Sequence, residues 1–137
     1  FIREILHSVQ SSFVIGLVIA LFIFTPLRDY VAIYNDFHDY RFVWIPLSIL
    51  LALILHDSYF YWMHRIVHHP KLFKSIHLTH HKSTNPSPWT SFSFHIYEAI
   101  TEAMAVPLIL CLIPMHPLSL ILFGLLSFCI NVYGTGY

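Results

Sequence analysis

The chain has 137 residues, of which 57% are hydrophobic and 10% are charged, and its formal net charge is zero. Typical soluble domains carry roughly 25% charged residues, so this composition excludes an ordinary soluble domain and indicates a membrane protein. The balanced charge gives no reason to expect nucleic acid as a partner. The two cysteines, Cys111 and Cys129, lie in apolar runs and predict neither a disulfide framework nor a cysteine metal site.

Four apolar segments follow one another along the chain. They cover about residues 5–27, 42–63, 99–113 and 117–133. A helix needs about 20 residues to cross the hydrocarbon core of a bilayer, and each segment, with its flanking residues, is predicted to form one transmembrane helix. The double-proline turn between Pro114 and Pro117 suits a tight helical hairpin. The predicted fold is an all-α integral membrane domain with about four transmembrane helices in two hairpins.

A histidine-rich insert, about residues 56–98, lies between the two hairpins. Eight of the eleven histidines belong to it: His56, His64, His68, His69, His77, His80, His81 and His95. The second membrane helix is predicted to continue to His69, where Pro70 ends it, and a second short helix is predicted over 71–81. The insert also carries four of the seven Lys and Arg residues. The positive-inside tendency therefore predicts that it lies on the cytosolic side.

The spacing of these histidines predicts a metal site. Imidazole is a strong ligand for iron, zinc and copper, and side chains three or four positions apart on a helix project from one face. One histidine pair has this spacing, and a second cluster follows it after a short gap. The predicted ligands are His64, His68, His77, His80, His81 and His95.

Four further residues are predicted to extend or support the site: His56, Asp57, His69 and Glu98. His56 lies two helical turns before His64 on nearly the same face, and Asp57 could orient a ligand by accepting its second N–H. A plain membrane-interface histidine is an equal alternative for His56. Glu98 is expected to accept a hydrogen bond from a ligand histidine and not to bind metal itself. The aromatic run from Tyr59 to Trp62 fits an interface belt and could also wall an apolar tunnel.

Three segments of the insert resemble motifs of the fatty acid hydroxylase and sterol desaturase superfamily. The segment from His56 to His69, HDSYFYWMHRIVHH, resembles its first histidine box. The segment from His77 to His81, HLTHH, is similar to its second box, HxxHH. The segment from Phe94 to Glu98 is similar to the FHPxE segment, with Ile96 in place of the usual proline.

The resemblance implies an integral membrane, non-haem di-iron enzyme that uses O2 and two electrons to hydroxylate or desaturate a lipid. It implies that the predicted histidine ligands hold two iron ions on the cytosolic face, with zinc as a substitute. The implied partners are a lipid, such as a sterol or a fatty acyl chain, and an electron donor such as a cytochrome b5 or ferredoxin system. The superfamily has a third HxxHH box, which this sequence lacks. Either the sequence is an incomplete fragment, which is what we expect, or the protein has lost its oxidase chemistry.

Two other classes of function stay open. In a membrane zinc-dependent hydrolase, histidine ligands and Glu98 would activate water, although the HExxH element of many such enzymes is absent. A non-catalytic metal-binding or transport protein would use its histidines as an intramembrane relay, and it should place them at mid-membrane. A carboxylate-bridged di-iron bundle is disfavoured because paired Glu and ExxH ligands are missing.

Overall fold

The computed structural model describes residues 2–81 and 87–134, without the side chains of Thr79 and His80. Within these ranges the chain is helical and forms no strand, as predicted. The helices are α1 (Ile2–Phe24), α2 (Trp44–Val67), α3 (Pro70–Leu72), α4 (Leu78–His81), α5 (Ile96–Ala103), α6 (Ala105–Leu112) and α7 (Pro117–Gly134). A π-helical turn, Phe73–His77, joins α3 to α4. Short 3-10 helices cover Pro26–Tyr30 and Thr90–Phe92.

Three helices are long and apolar enough to cross a membrane. They are α1 with 23 residues, α2 with 24 and α7 with 18, close to the length of about 20 residues that a bilayer core requires. These correspond to the first, second and fourth predicted membrane helices. The second helix ends at Val67, two residues before the predicted end at His69, and it carries His64 on its last turn. The chain is therefore an all-α membrane protein.

The third predicted membrane segment, 99–113, is interrupted, which corrects the expectation of one continuous helix. It lies in α5 and α6, two eight-residue helices that meet at Met104. Pro107 lies in the first turn of α6 and has no N–H to donate to the carbonyl of Ala103. The hydrogen bond that would continue α5 into α6 at this point is therefore missing.

The loop after α1 and the turn before α7 meet at one end of the bundle. The Ala32 N–H donates to the Leu110 carbonyl at 2.9 Å, and the Met115 N–H donates to the Ala32 carbonyl at 2.9 Å. Trp44 Nε1 donates to the Pro114 carbonyl at 2.8 Å. The main apolar core lies beside these contacts and includes Val31, Ile49, Ala52, Ile109, Leu110, Ile113, Met115 and Phe123. The acidic loop between α1 and α2 is thus fixed at this end.

The histidine-rich insert lies at the opposite end, where the first half of α1 holds the chain that follows it. Ser8 Oγ donates to the Trp89 carbonyl at 2.5 Å, and Ser11 Oγ donates to the Phe94 carbonyl at 3.5 Å. Both serines are buried. Along the bundle α1 packs on α5, while α2 packs on α6 and α7. The insert is therefore held between the start of α1 and the end of α2.

Candidate metal centre

The end of α2 brings His64 and His68 together. His64 lies in the last turn of the helix and His68 is the residue that follows its last turn. Their Nε2 atoms are 3.1 Å apart. Two nitrogens bound side by side to one metal at about 2.0–2.1 Å are separated by roughly 3.0–3.4 Å, so this distance matches two ligands of one ion. The ring of Phe60 stacks on His64 with a centroid distance of 5.6 Å.

The π-helical turn places His77 against this pair. A π turn carries an extra residue, which changes the direction in which the following side chain projects, and such turns are frequent at functional sites. The His77 ring centroid lies 4.8 Å from that of His64 and 4.6 Å from that of His68. One ligand nitrogen from each of the three residues lies within 4.8 Å of the others. This group can hold a metal ion.

Glu98 on α5 orients His77. Its Oε1 lies 2.5 Å from His77 Nδ1, and the two side chains are only 5% and 1% exposed. An ionised carboxylate can only accept, so the His77 tautomer that fits this contact has its proton on Nδ1 and leaves the lone pair of Nε2 to a metal. The predicted contact between Glu98 and a ligand histidine is present, and the ligand role of His77 stays a prediction.

His81 on α4 completes the histidine cluster, which we define as His64, His68, His77 and His81. Its ring centroid lies 4.6 Å from that of His77 and 5.1 Å from that of His68. Partial burial lowers the pKa of the His81 imidazole, and His77 and His68 lower it further, while Glu98 raises it. The neutral imidazole, which is the form that binds metal, is thereby favoured.

Two other predicted ligands, His80 and His95, are not counted in the histidine cluster. The side chain of His80 lies outside the described residues. His95 caps α5, where its Nδ1 accepts the Tyr97 N–H at 3.4 Å. The His95 ring lies against the Tyr97 ring with a centroid distance of 5.3 Å. Ligand roles for His80 and His95 stay predictions.

The residues predicted to support the site occupy different positions. His69 is exposed and caps α3, where its Nδ1 accepts the Lys71 N–H at 3.4 Å. His56 is largely buried, and its Nδ1 lies 3.8 Å from Asp57 Oδ1, whose side chain is 74% exposed. The His56 ring makes an edge contact with Phe123. His56 therefore faces the interior between α2 and α7, while Asp57 points outward.

A cavity of about 260 Å³ adjoins the histidine cluster. Each surrounding helix lines it with side chains four positions apart, which lie on one helical face. His64 and His77 lie at one end, and His56 lies eight residues before His64, or ~12 Å along α2. The other helices supply Ile15 and Ile19 from α1, Glu98, Glu102 and Val106 from α5 and α6, and Phe123, Ser127 and Asn131 from α7.

The sequence did not reveal several of these cavity residues. In the sequence, Ile15 and Ile19 are only part of an apolar membrane helix, and Glu102 is not among the predicted site residues. An i, i+4 spacing to Glu98 was the available signal for Glu102, because it places both carboxyl groups on one face of α5.

Among the aromatics, Phe60 lines the cavity. Trp62 is exposed, with Arg65 over its ring at 5.8 Å, as in an interface belt.

The fold and the cluster together define a membrane protein with a histidine-rich candidate metal centre. A family model described as fatty acid hydroxylase matches residues 49–135. The chain belongs to the fatty acid hydroxylase family.

Curated relatives include sterol-modifying enzymes. The Delta(7)-sterol 5(6)-desaturase ERG3B of Gibberella zeae is 30% identical over 83% of this chain and 36% of its own length. The lathosterol oxidase of Rattus norvegicus is 32% identical over 83% of this chain and 39% of its own length. The chain thus spans less than two fifths of the length of these relatives. No solved structure matches the chain.

Proposed function

We propose that the chain acts in a membrane enzyme that hydroxylates or desaturates a lipid, with a sterol as the first candidate, by using O2 and two electrons. The observation that carries this proposal is the histidine cluster at the end of an apolar cavity inside a membrane bundle. Such an arrangement brings a hydrocarbon and a metal centre together away from bulk water. The names of the curated relatives support a sterol.

The residues present fit a bound cation. Glu98 is buried, its Oε2 has no hydrogen-bond partner among the described residues, and no Lys or Arg of those residues pairs with it. A buried carboxylate is costly unless a positive charge compensates it. A divalent metal on His77 would supply that charge, and the 3.1 Å spacing of His64 and His68 suits the same ion.

We propose iron as the resident metal, with two ions in the complete site and zinc as a substitute. The proposed ligands are His64, His68, His77 and His81, with His80 and His95 as further ligands. When bound, iron supplies the activation of O2 with electrons from a donor such as a cytochrome b5 or ferredoxin system. Neutral imidazoles suit this metal and leave coordination positions open.

The protein's own residues position the lipid and the ligands. The apolar walls hold a hydrocarbon and exclude water, and the Phe60 ring limits rotation of His64. The contact with Glu98 favours the His77 tautomer that has its proton on Nδ1, which leaves Nε2 available to a metal. Which carbon faces the metal, and hence hydroxylation or desaturation, is decided by positioning on the scale of an ångström or so.

We also propose that the histidine end of the bundle faces the cytosol. Arg65, Lys71 and Lys74 are exposed at this end. The opposite end carries the loop with Asp29 and Asp36. This charge asymmetry follows the positive-inside tendency.

The alternatives have less support. Glu98 is buried behind His77 and hydrogen-bonded to it, so it is poorly placed to activate a water on the metal as a hydrolase would require. A relay for transport would place its histidines at mid-membrane, whereas the histidine cluster begins at the end of α2.

Elemental analysis and product analysis of detergent-purified protein from iron-supplied cells test the proposal. We expect bound iron in the wild type, a loss of most of it in His64→Ala and His77→Ala, and no loss in His38→Ala, which lies in the loop at the other end. With sterol, O2 and a reducing system, mass spectrometry should detect an oxidised or desaturated product. Zinc with hydrolytic activity, or no metal at all, would contradict the proposal.

A further inference from the structure

The cavity is bounded on one side by two membrane helices that are not packed on each other. Ile15 and Ile19 of α1 line it, and Gly124 and Phe128 of α7 line it from across the gap. α1 packs on α5 and α6, and α7 packs on α2, but α1 and α7 do not form a packed helix pair in the ranges that the structure describes. We call this boundary the α1–α7 seam.

Gly124 lies at the α1–α7 seam, inside a membrane-spanning helix where glycine is a poor helix former. Its backbone does not require glycine, because no described glycine has a positive φ. Close helix packing does not require it either, since a Cβ built at Gly124 meets no atom within 4 Å. Among the residues that the structure describes, neither of the two common structural reasons for a glycine in a membrane helix therefore applies. What the glycine does provide is open space at the edge of the cavity.

The size of the cavity also fits an opening toward the bilayer. Pockets that enclose a drug-sized ligand measure about 300–1,000 Å³, and this cavity measures about 260 Å³. The cavity is thus smaller than most pockets that enclose a whole ligand, which fits a lipid that is held only in part. An opening that faces the bilayer between two spanning helices suits such a lipid.

The histidine end of the α1–α7 seam is closed. Phe128, one turn after Gly124, stacks on Phe92 with a centroid distance of 5.3 Å and an interplanar angle of 16°. Phe92 is the last residue of the 3-10 helix Thr90–Phe92, so the stack joins α7 to this helix at the histidine end. The open part of the seam is thus the part at Gly124, on the membrane side of the stack.

We infer that the α1–α7 seam at Gly124 is a lateral opening through which the hydrocarbon part of a lipid passes from the bilayer into the cavity. This inference rests on the proposed function, because it names the route of the substrate to that same site. A Cβ at position 124 meets no atom within 4 Å, so a larger side chain begins in open space beside the cavity. It therefore obstructs the route while the helices keep their packing.

Gly16 offers a matched control. It lies in the membrane-spanning α1, a Cβ built there also meets no atom within 4 Å, and it does not line the cavity. Substitutions at Gly16 and Gly124 therefore add the same side chain to a membrane helix in equally open surroundings. Only the substitutions at Gly124 add it at the cavity.

The experiment uses the iron-loaded full chain in phospholipid vesicles that contain a photoactivatable sterol with a diazirine in its ring system. After illumination, mass spectrometry measures labelling of the cavity-lining peptides of α1 and α7. We expect labelling to fall by about tenfold or more in Gly124→Phe, by an intermediate factor in Gly124→Leu, and by less than about twofold in Gly124→Ala and Gly16→Phe, because only a blocked route slows access. Iron content should stay at the wild-type value in all four variants.

Several outcomes would overturn the inference. Wild-type labelling that is absent from the peptides around Ile15, Ile19 and Gly124 would do so, as would equal losses in Gly16→Phe and Gly124→Phe. The first result is expected if another helix or a second copy covers the seam. If Gly124→Phe loses iron, the inference is tested by the labelling of Gly124→Leu and by the positions that are labelled in the wild type.

The same experiment separates this inference from the proposed function. Labelling that depends on Gly124 without any oxidised product would refute the proposed function and leave the lateral opening intact. Product formation at equal rates in the wild type and Gly124→Phe, with equal labelling, would refute the lateral opening alone.

Discussion

Replacement of Glu98 should weaken metal binding at the histidine cluster by an amount that depends on the replacing side chain. Gln at position 98 still offers a carbonyl oxygen to His77 Nδ1 but removes the charge, whereas Leu leaves Nδ1 without this acceptor. Because both side chains are almost fully buried, water cannot restore the contact. Hydrogen bonds to a charged group contribute about 1.5–3 kcal/mol, and about 1.4 kcal/mol corresponds to a tenfold change in affinity.

We therefore expect metal affinity to fall by about tenfold in Glu98→Gln and by about a hundredfold in Glu98→Leu, the range seen when outer partners of metal ligands are removed. Competition with a chromophoric chelator measures this affinity, and circular dichroism checks that each variant keeps its helices. Asp57→Asn is the control, since Asp57 is exposed and lies beside His56, outside the cluster. An affinity of Glu98→Leu within about threefold of the wild type, or an equal loss in Asp57→Asn, would refute the reasoning.

Two further predictions concern the metal-free protein. The His81 imidazole should titrate below the ordinary value of about 6.5, because burial and the neighbouring imidazoles lower its pKa. As the pH falls through about 6.5, the unfolded chain binds a proton at His81 before the folded chain does, so the folded state loses stability. NMR titration of His81 checks this, and a pKa at or above the ordinary value would contradict it. Ser8→Ala should lower the free energy of unfolding by about 0.5–1.5 kcal/mol through the lost hydrogen bond to the Trp89 carbonyl. Denaturant titration in detergent measures this, with exposed Ser12→Ala as the unaffected control; equal changes in the two variants would contradict it.

The membrane helices followed from the sequence because their cause is local. A run of apolar residues near the length of a bilayer core must be helical in lipid, since every backbone polar group has to be paired internally. This reasoning located α1, α2 and α7. It did not predict the break in the third segment near Met104, where Pro107 lacks the N–H that a continuous helix needs.

The histidine spacing likewise identified the candidate centre, because residues three or four apart on a helix share a face. The same spacing rule could not decide among the more distant histidines. His69 and His95 cap helices in the structure, and His56 faces the cavity. These outcomes depend on where each helix begins and on which helix packs beside it.

The sequence by itself therefore determined the class of fold, the membrane setting and the set of candidate ligands, since composition and helical period act over a few neighbouring residues. Only the tertiary structure decided that His77 meets Glu98 and that Gly124 lies at the edge of a cavity lined by Ile15. Glu98 lies 21 positions from His77 in the sequence, and Gly124 lies still further from Ile15. The positions of such residues are set by helix packing, which no local pattern encodes.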